Sequence, residues 1–287
     1  MRILLTGGNG QLGQELLEAA TAAGHAVRST TRADCDVTSP ESVRQVIEEA
    51  EPEVLVNCAA WNKVDAAESQ NDDAFRVNAL GPRVLAGLCA ARQVLLVHLS
   101  SDYVFDGSAT SPVDEWHRPN PLSTYGASKL AGENEVRGLA PRHQVVRTAW
   151  LYGRDGPNFV LSILRAMTDG RPLRVVSDQL GSPTWTGHLA PALLRVIARD
   201  IPGTYHLTNS GAVSWHGFAE AIVAAVGGSA DVAAITTAEY PAAARRPSYS
   251  VLDNRVWRLL GEPALPDWQE GLSAYVAHLR DSGALNR

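Results

Sequence analysis

Short aliphatic runs that alternate with amphipathic stretches constrain this chain more than any other feature. The first run is RILLT, Arg2–Thr6, after which Leu12, Leu16, Leu17, Ala20 and Ala23 recur at helical spacing up to Gly24. HAVRST is the second run, followed by SPESVRQVIEEA, where Ser39 reads as an N-cap with Pro40 just inside the helix. EVLVNCAA is the third and leads into one long helix over Asn71–Arg92. VLLVHLSS, Val94–Ser101, is the fourth, followed by a helix from Tyr125 to Leu139, and HQVVRTAWLYG reads as a single fifth strand. Strands that are aliphatic at successive positions must be buried on both faces, which requires a parallel sheet covered by helices on both sides. The expected architecture is therefore α/β, a doubly wound parallel sheet.

After Gly153 the rhythm loosens. NFVLSILRAMTDG reads as a helix, PLRVVSD as a strand, and GHLAPALLRVIARD as a helix with Pro191 near its first turns. GTYHLTNS reads as a further strand, and a last helix runs from Asp267 to Arg280. Residues 1–152 are thus expected to form a Rossmann-like nucleotide-binding domain, which a segment near 186–210 rejoins. Residues 153–287 then form, in the main, a smaller, discontinuous C-terminal substrate-binding lobe.

A net charge of −6, without a basic run or an aromatic–basic platform, argues against nucleic acid and against anionic membranes. No uninterrupted apolar segment is long enough to span a bilayer. MRILLTGG runs straight into a turn and reads as a strand rather than a leader. Cys35, Cys58 and Cys89 are odd in number and widely spaced, as expected of reduced thiols in the cytoplasm. The histidines show no metal-ligand spacing, so no catalytic metal is expected.

TGGNGQLGQEL lies directly after the first strand and opens the first helix. Gly7 permits the tight turn, Gly10 lets backbone approach a pyrophosphate, and Gly13 lets helix and strand pack closely. A dinucleotide site is the expectation. The end of the second strand, Ser29, Thr30, Thr31 and Arg32, carries hydroxyls and a cation, with no acid before Asp34. That pattern leans towards a 2′-phosphate and NADPH, with NADH possible.

STYGASK, Ser123–Lys129, contains one of only two lysines in the chain, the other being Lys63. Residues four apart share a helix face, so Tyr125 and Lys129 project together. An ammonium beside a phenol is expected to lower its pKa, and such a phenol can give a proton to a carbonyl as hydride arrives at its carbon. Ser101 ends the fourth strand, where ligand sites form in this architecture, and its hydroxyl can fix the same carbonyl oxygen.

With GxxGxxG, a strand-end hydroxyl and YxxxK, the chain resembles the extended short-chain dehydrogenase/reductases. VNCAAWNKVDAAE, VNALGP, LSSDYVFDG, YGASKLAGE, VRTAWLYG, VVSDQLGSPT and RRPSYSVLD make it similar, within these, to the dTDP-4-dehydrorhamnose reductase family. The resemblance implies reduction of the 4-keto group of a dTDP-linked 4-keto-6-deoxysugar by NADPH or NADH. It gives Ser101, Tyr125 and Lys129 as the catalytic triad, with Ser101 where the family usually has Thr. Gln11 and Leu12 join Gly10 in the pyrophosphate turn, Asp36 and Val37 lie at the adenine end, and Ala59, Ala60 and Trp61 form a wall of the cofactor site. Asp102, Tyr103 and Trp150 face the sugar, while Asn158, Phe159, Gln179, Pro183 and Thr184 fall in stretches that resemble the nucleotide-diphosphate pocket. Some members dimerise through Mg²⁺ held by glutamates. Glu15 matches one such position, but TGHLAPALL and YVAHLRDSG supply no partners, so no Mg²⁺ is expected in a monomer or homodimer. Alternatives are a ketoreductase for another dTDP-deoxysugar, a related epimerase or dehydratase, and a non-catalytic dinucleotide-binding regulatory subunit. Dehydration is disfavoured because Tyr103, not Glu, follows Asp102.

Overall fold

The aliphatic runs form the strands of one parallel sheet, in the computed structural model that describes residues 1–154 and 156–284. They are β1 (Arg2–Thr6), β2 (Ala26–Thr30), β3 (Val54–Asn57), β4 (Leu95–Ser101) and β5 (His143–Thr148). Gly203–His206 adds a sixth strand on the outer side of β5. From that edge the order is 203–206, β5, β4, β3, β1, β2. Every residue of β4 is buried, as a central strand covered on both faces requires. Leu12, Leu16, Leu189 and Leu193 from helices Gln11–Ala22 and Thr186–Arg199 cover one face. Val43, Ile47, Leu85 and Cys89 from helices Pro40–Ala50 and Gly81–Arg92 cover the other. Ser39 caps its helix as expected, its hydroxyl accepting from the Ser42 amide.

One polar line crosses the sheet near its carboxyl edge, where Thr6, Asn57 and His98 stand in register. Thr6 Oγ1 donates to Asn57 Oδ1 at 2.8 Å, and Asn57 Nδ2 donates to His98 Nδ1 at 3.1 Å. Burial pushes the His98 pKa down to about 3, so the ring is neutral and can accept at Nδ1. The strand order reverses beside β1, and a crevice opens there, outside the carboxyl ends of the strands.

Two elements differ from the sequence expectation. The helix over 71–92 is interrupted by one π-helical turn at Arg76–Leu80, between Asn71–Phe75 and Gly81–Arg92. Pro82 has no N–H to offer the carbonyl four residues back, and the Gly81 amide donates five residues back, to Arg76 O. The fifth strand stops at Thr148. Trp150 takes a positive φ of 46°, and Leu151–Tyr152 then pair with Thr184–Trp185 in a separate two-stranded sheet. Alternation could not locate this break, because the run stays apolar across it.

The C-terminal helices Phe159–Thr168, Trp215–Ala225 and Trp268–Asp281 share a core with the strand Leu173–Val176, which pairs in parallel with Val232–Ile235. Asp267 caps the last helix, with Glu270 completing a reciprocal capping box. Among the described residues no helix is long and apolar enough to cross a membrane.

The π turn presses its backbone on the helix Thr124–Leu139. A Cβ at Gly132 would stand 2.1 Å from Asn78 O. Gly132→Ala should therefore destabilise the protein by about 1–3 kcal/mol, an overpacking cost. Urea unfolding checks this, with a lower midpoint and an unchanged slope expected.

Candidate active site

The glycine turn is built as the sequence suggests. Gly7 has φ +72°, and a Cβ there would lie 2.5 Å from the Ala59 amide nitrogen. A Cβ at Gly13 would lie 2.5 Å from Gly7 O. Gly10 starts the helix Gln11–Ala22 with no side-chain cap, which leaves its first amides for an anionic ligand.

Two adjoining compartments, of about 230 and 440 Å³, follow the carboxyl edge of the sheet and share Gly10, Cys58, Ala60 and Asn62. Gly7, Gly10, Arg32, Asp36, Val37, Ala59, Ala60 and Trp61 line the smaller one. Gly10, Gln11, Leu12, Gly13, Ser101, Asp102, Tyr103, Tyr125, Lys129 and Trp150 line the larger. In the smaller compartment Asp34 and Asp36 are both engaged nearby. Asp34 Oδ2 accepts from the Thr31 amide and hydroxyl, each at 2.8 Å, and Asp36 Oδ1 accepts from the Thr38 amide and hydroxyl at 3.0 and 2.8 Å. Arg32 is exposed at the rim.

Ser123 caps the helix Thr124–Leu139, its hydroxyl accepting from the Gly126 amide at 3.2 Å. Gly126 lets this helix touch the turn after β4, since a Cβ there would stand 2.1 Å from Tyr103 O. Tyr125 and Lys129 consequently face the end of β4 from one side of the helix. Lys129 is 3% exposed and donates from Nζ to Leu99 O at 2.6 Å. Ser101 Oγ donates to Asp102 Oδ1 at 2.9 Å and accepts from the Tyr103 amide at 3.2 Å. Tyr103 meets the Tyr125 ring edge-on, with centroids 5.4 Å apart.

Burial dominates the electrostatics. It pushes the Lys129 ammonium down to about 8, and the negative charge of Glu133 one turn on opposes the fall. Burial also lifts the Tyr125 phenol to about 12, against the pull of the neighbouring Ser101 hydroxyl. The expectation that Lys129 would lower the phenol is not met, because desolvation wins and the ammonium is aimed at the Leu99 carbonyl. Asp102 rises to about 6 through burial, moderated by the hydroxyls of Ser250 and Ser101. Behind the lysine, Glu133 accepts two hydrogen bonds from Arg147, at 2.9 and 2.7 Å, and one from Arg137 at 2.6 Å. Burial alone would raise Glu133, yet these guanidiniums hold it at about 2.

Five residues of the implied nucleotide-diphosphate pocket do not line either compartment. Asn158 caps the helix Phe159–Thr168 and donates to Gly153 O at 2.9 Å, while Phe159 packs on Trp215. Gln179 donates to Thr237 Oγ1 at 3.0 Å. Pro183 is buried, and the Thr184 amide donates to Trp150 O at 3.2 Å. Of the five, Thr184 bonds Trp150 itself and Phe159 reaches it through Trp215. Glu15 holds no free carboxylate for a metal, for Arg154 donates to both of its oxygens at 2.9 and 2.7 Å and also contacts Glu18. Among the described residues no group of three potential ligands could hold a metal ion.

Sequence reasoning missed three contributors. Asn78 holds the Trp61 backbone at both its amide (2.8 Å) and its carbonyl (3.1 Å) and donates to Ser128 Oγ at 3.0 Å, tying the Trp61 segment to the helix that carries Tyr125 and Lys129. Arg246 clasps Asp65 through two hydrogen bonds, at 3.1 and 2.7 Å. Trp215 lines the larger compartment. The VNALGP and RRPSYSVLD stretches hold the first two, but only the fold shows what they touch.

Comparison with known proteins agrees with this geometry. A family model described as RmlD substrate binding domain matches residues 1–281. A dTDP-4-dehydrorhamnose reductase of Streptomyces griseus is 42% identical over 281 residues, covering 95% of this chain and 92% of that protein. The crystal structure of a dTDP-4-dehydrorhamnose reductase ortholog from Clostridium acetobutylicum superposes with a TM-score of 0.95 at 42% identity, over 98% of this chain and 100% of that one. A dTDP-4-dehydrorhamnose reductase from Bacillus anthracis, solved in complex with NADP, gives a TM-score of 0.94 at 38% identity, over 96% and 99% of the two chains. The residues that build the cleft, and the length over which the likeness holds, place this chain in the dTDP-4-dehydrorhamnose reductase family.

Proposed function

We propose that the chain reduces the 4-keto group of dTDP-4-dehydro-L-rhamnose, giving dTDP-L-rhamnose, with NADPH as the preferred reductant. The convergence of Tyr125, Ser101 and Lys129 beside an uncapped, glycine-lined helix N-terminus carries the reading. The turn suits a dinucleotide: close approach at Gly7 and Gly13 leaves no side chain between the helix amides and a pyrophosphate. NADPH, when bound, supplies the hydride.

The protein's own groups do the rest. Tyr125, protonated at neutral pH, donates its phenolic proton to the ketone oxygen as the carbon becomes tetrahedral. The Ser101 hydroxyl rotates from Asp102 towards the same oxygen and fixes it beside the phenol. Lys129, charged below about 8, supports the phenolate that forms and hands on a proton to restore it. Asp102, Tyr103 and Trp150 would bound the sugar, and Arg32 would hold the 2′-phosphate of NADPH. Residues 1–152 with the strand 203–206 hold the dinucleotide, while the chain from 153 onward adds Trp215 to the larger compartment and packs behind its wall. A cytoplasmic enzyme, monomeric or homodimeric, fits the three unpaired cysteines and the engaged Glu15.

The direct test is NADPH oxidation with dTDP-4-dehydro-6-deoxyhexoses made in situ, with and without the 3,5-epimerase. Turnover only after epimerisation is expected, and Tyr125→Phe should lower kcat by about 10²–10⁴-fold while still binding NADPH. Turnover without epimerisation would move the substrate to another dTDP-deoxysugar. No oxidation under any condition would leave a dinucleotide-binding regulatory subunit.

The pH profile follows from the site's charges. Lys129 loses its proton as pH rises through about 8, whereas Tyr125 keeps its own until about 12. Values of kcat/KM should be level near neutrality and fall above pH ~8 by about one log unit per pH unit. In Lys129→Arg the plateau should drop and this basic limb should vanish. A wild-type profile level to pH ~10 would contradict the assignment.

Cofactor choice is tested at Arg32. With Asp34 and Asp36 engaged elsewhere, Arg32→Ala should raise KM for NADPH about tenfold, the loss of one charge-assisted contact. KM for NADH should stay within about twofold. Equal effects on both cofactors would remove Arg32 from 2′-phosphate recognition.

A further inference from the structure

Trp215 opens the helix Trp215–Ala225, at which the Ser214 hydroxyl accepts from the Gly217 amide at 3.0 Å. Its indole lies face to face on that of Trp150, with centroids 3.5 Å apart and planes 6° from parallel. Aromatic pairs usually prefer offset or edge-on contact, so this overlap needs support from outside the pair. Phe159 provides it, 4.6 Å from Trp215 and itself resting on Phe218 at 5.7 Å.

Trp150 is held at two further points. Its φ of 46° is rare for a bulky residue, and its carbonyl accepts from the Thr184 amide. The indole lies so close to Gly181 that a Cβ there would stand 2.3 Å from Trp150 Cε2. Both indoles line the compartment that contains Ser101, Tyr125 and Lys129, and neither lines the compartment of Arg32 and Asp36. Any effect of the pair therefore falls on the end of the cleft that holds Ser101, Tyr125 and Lys129, away from Arg32 and Asp36. A 6-deoxyhexose offers an apolar C–H face and a methyl group, which suit the flat surface of an indole.

Resting on the ketoreductase reading above, we infer that Trp215 is a positioning residue: it holds the Trp150 indole as a rigid platform for the deoxysugar. Trp215 thereby sets affinity for the sugar nucleotide and leaves the dinucleotide and the proton transfer alone.

The test compares Trp215→Ala, Trp215→Phe, Trp150→Ala and the double variant Trp150→Ala/Trp215→Ala in full-length protein. KM for the keto sugar and kcat are read from turnover, and NADPH affinity from its fluorescence. Trp215→Ala should raise the sugar KM about five- to tenfold, with kcat and NADPH affinity within about twofold of wild type. Trp215→Phe should recover most of the loss. In the Trp150→Ala background, removing Trp215 should change KM by less than about twofold, since the platform it supports is already gone. Additive losses would overturn the inference, as would an unchanged KM or a parallel fall in NADPH binding. If Trp215→Ala does not fold, Gly181→Ala displaces the Trp150 indole directly and should give the same KM signature; a normal KM there overturns the proposal. Calorimetric titration with dTDP-L-rhamnose makes the comparison without turnover. A wild-type protein that binds this ligand but never oxidises NADPH would therefore condemn the ketoreductase reading and leave the role of Trp215 open to the same titration.

Discussion

A single ammonium, that of Lys129, has to stay charged inside a wall that is almost dry, and much of the cleft is arranged around that demand. The Leu99 carbonyl takes its hydrogen bond, and Glu133, one helical turn on, offsets part of the desolvation. Glu133 in turn needs Arg147 and Arg137, and Arg147 reaches His206 on the sixth strand at 3.4 Å. Burial takes the His206 pKa down to about 3, and the neutral ring stands between Arg147 and the Val113 carbonyl. The charged centre is thus continuous with the edge of the sheet. Removing one partner of such a set leaves a buried charge alone, which costs far more than the pair itself contributes.

Much of this was legible in the sequence. RILLT, VLLVHLSS and their companions could only be buried parallel strands, and the glycine spacing and YxxxK marked two segments that line one compartment in the fold. Other parts were hidden for physical reasons. Periodicity reports which face of an element is apolar, but not where an apolar run changes partner, so the break at Trp150 stayed invisible. Helical spacing likewise counts residues and not hydrogen bonds, so the π turn passed for ordinary helix. Charge counting showed Tyr125 and Lys129 as neighbours without weighing the burial that dominates both pKa values. Asn158, Phe159 and Thr184, which the resemblance gives to the nucleotide-diphosphate pocket, bond or pack on Gly153, Trp215 and Trp150, contacts that no spacing in the sequence announces.

The two lobes are joined by more than the chain that links them. Arg246, from the irregular segment after Tyr240, clasps Asp65 in the segment that follows β3, and Arg154 clasps Glu15 on the helix of the glycine turn. Both arginines carry two-pronged pairs, a geometry that a lysine could not reproduce and that accords with the chain's heavy use of arginine. Each clasp lies within a few residues of a cleft wall, so the separation of the walls is tied to two charged contacts.

The π turn at Arg76–Leu80 has a further consequence for anyone who would redesign this scaffold. A wider turn of this kind behaves as a helix with one residue too many. Deleting a residue there would restore regular geometry and would score well by any measure of helical ideality. The deletion would leave the flanking turns in phase but would take away the widened turn that carries Asn78. Asn78 could no longer hold the Trp61 backbone and Ser128 at once. Regularity and the hold on Trp61 are thus mutually exclusive at this position, and the irregular turn is the feature to preserve.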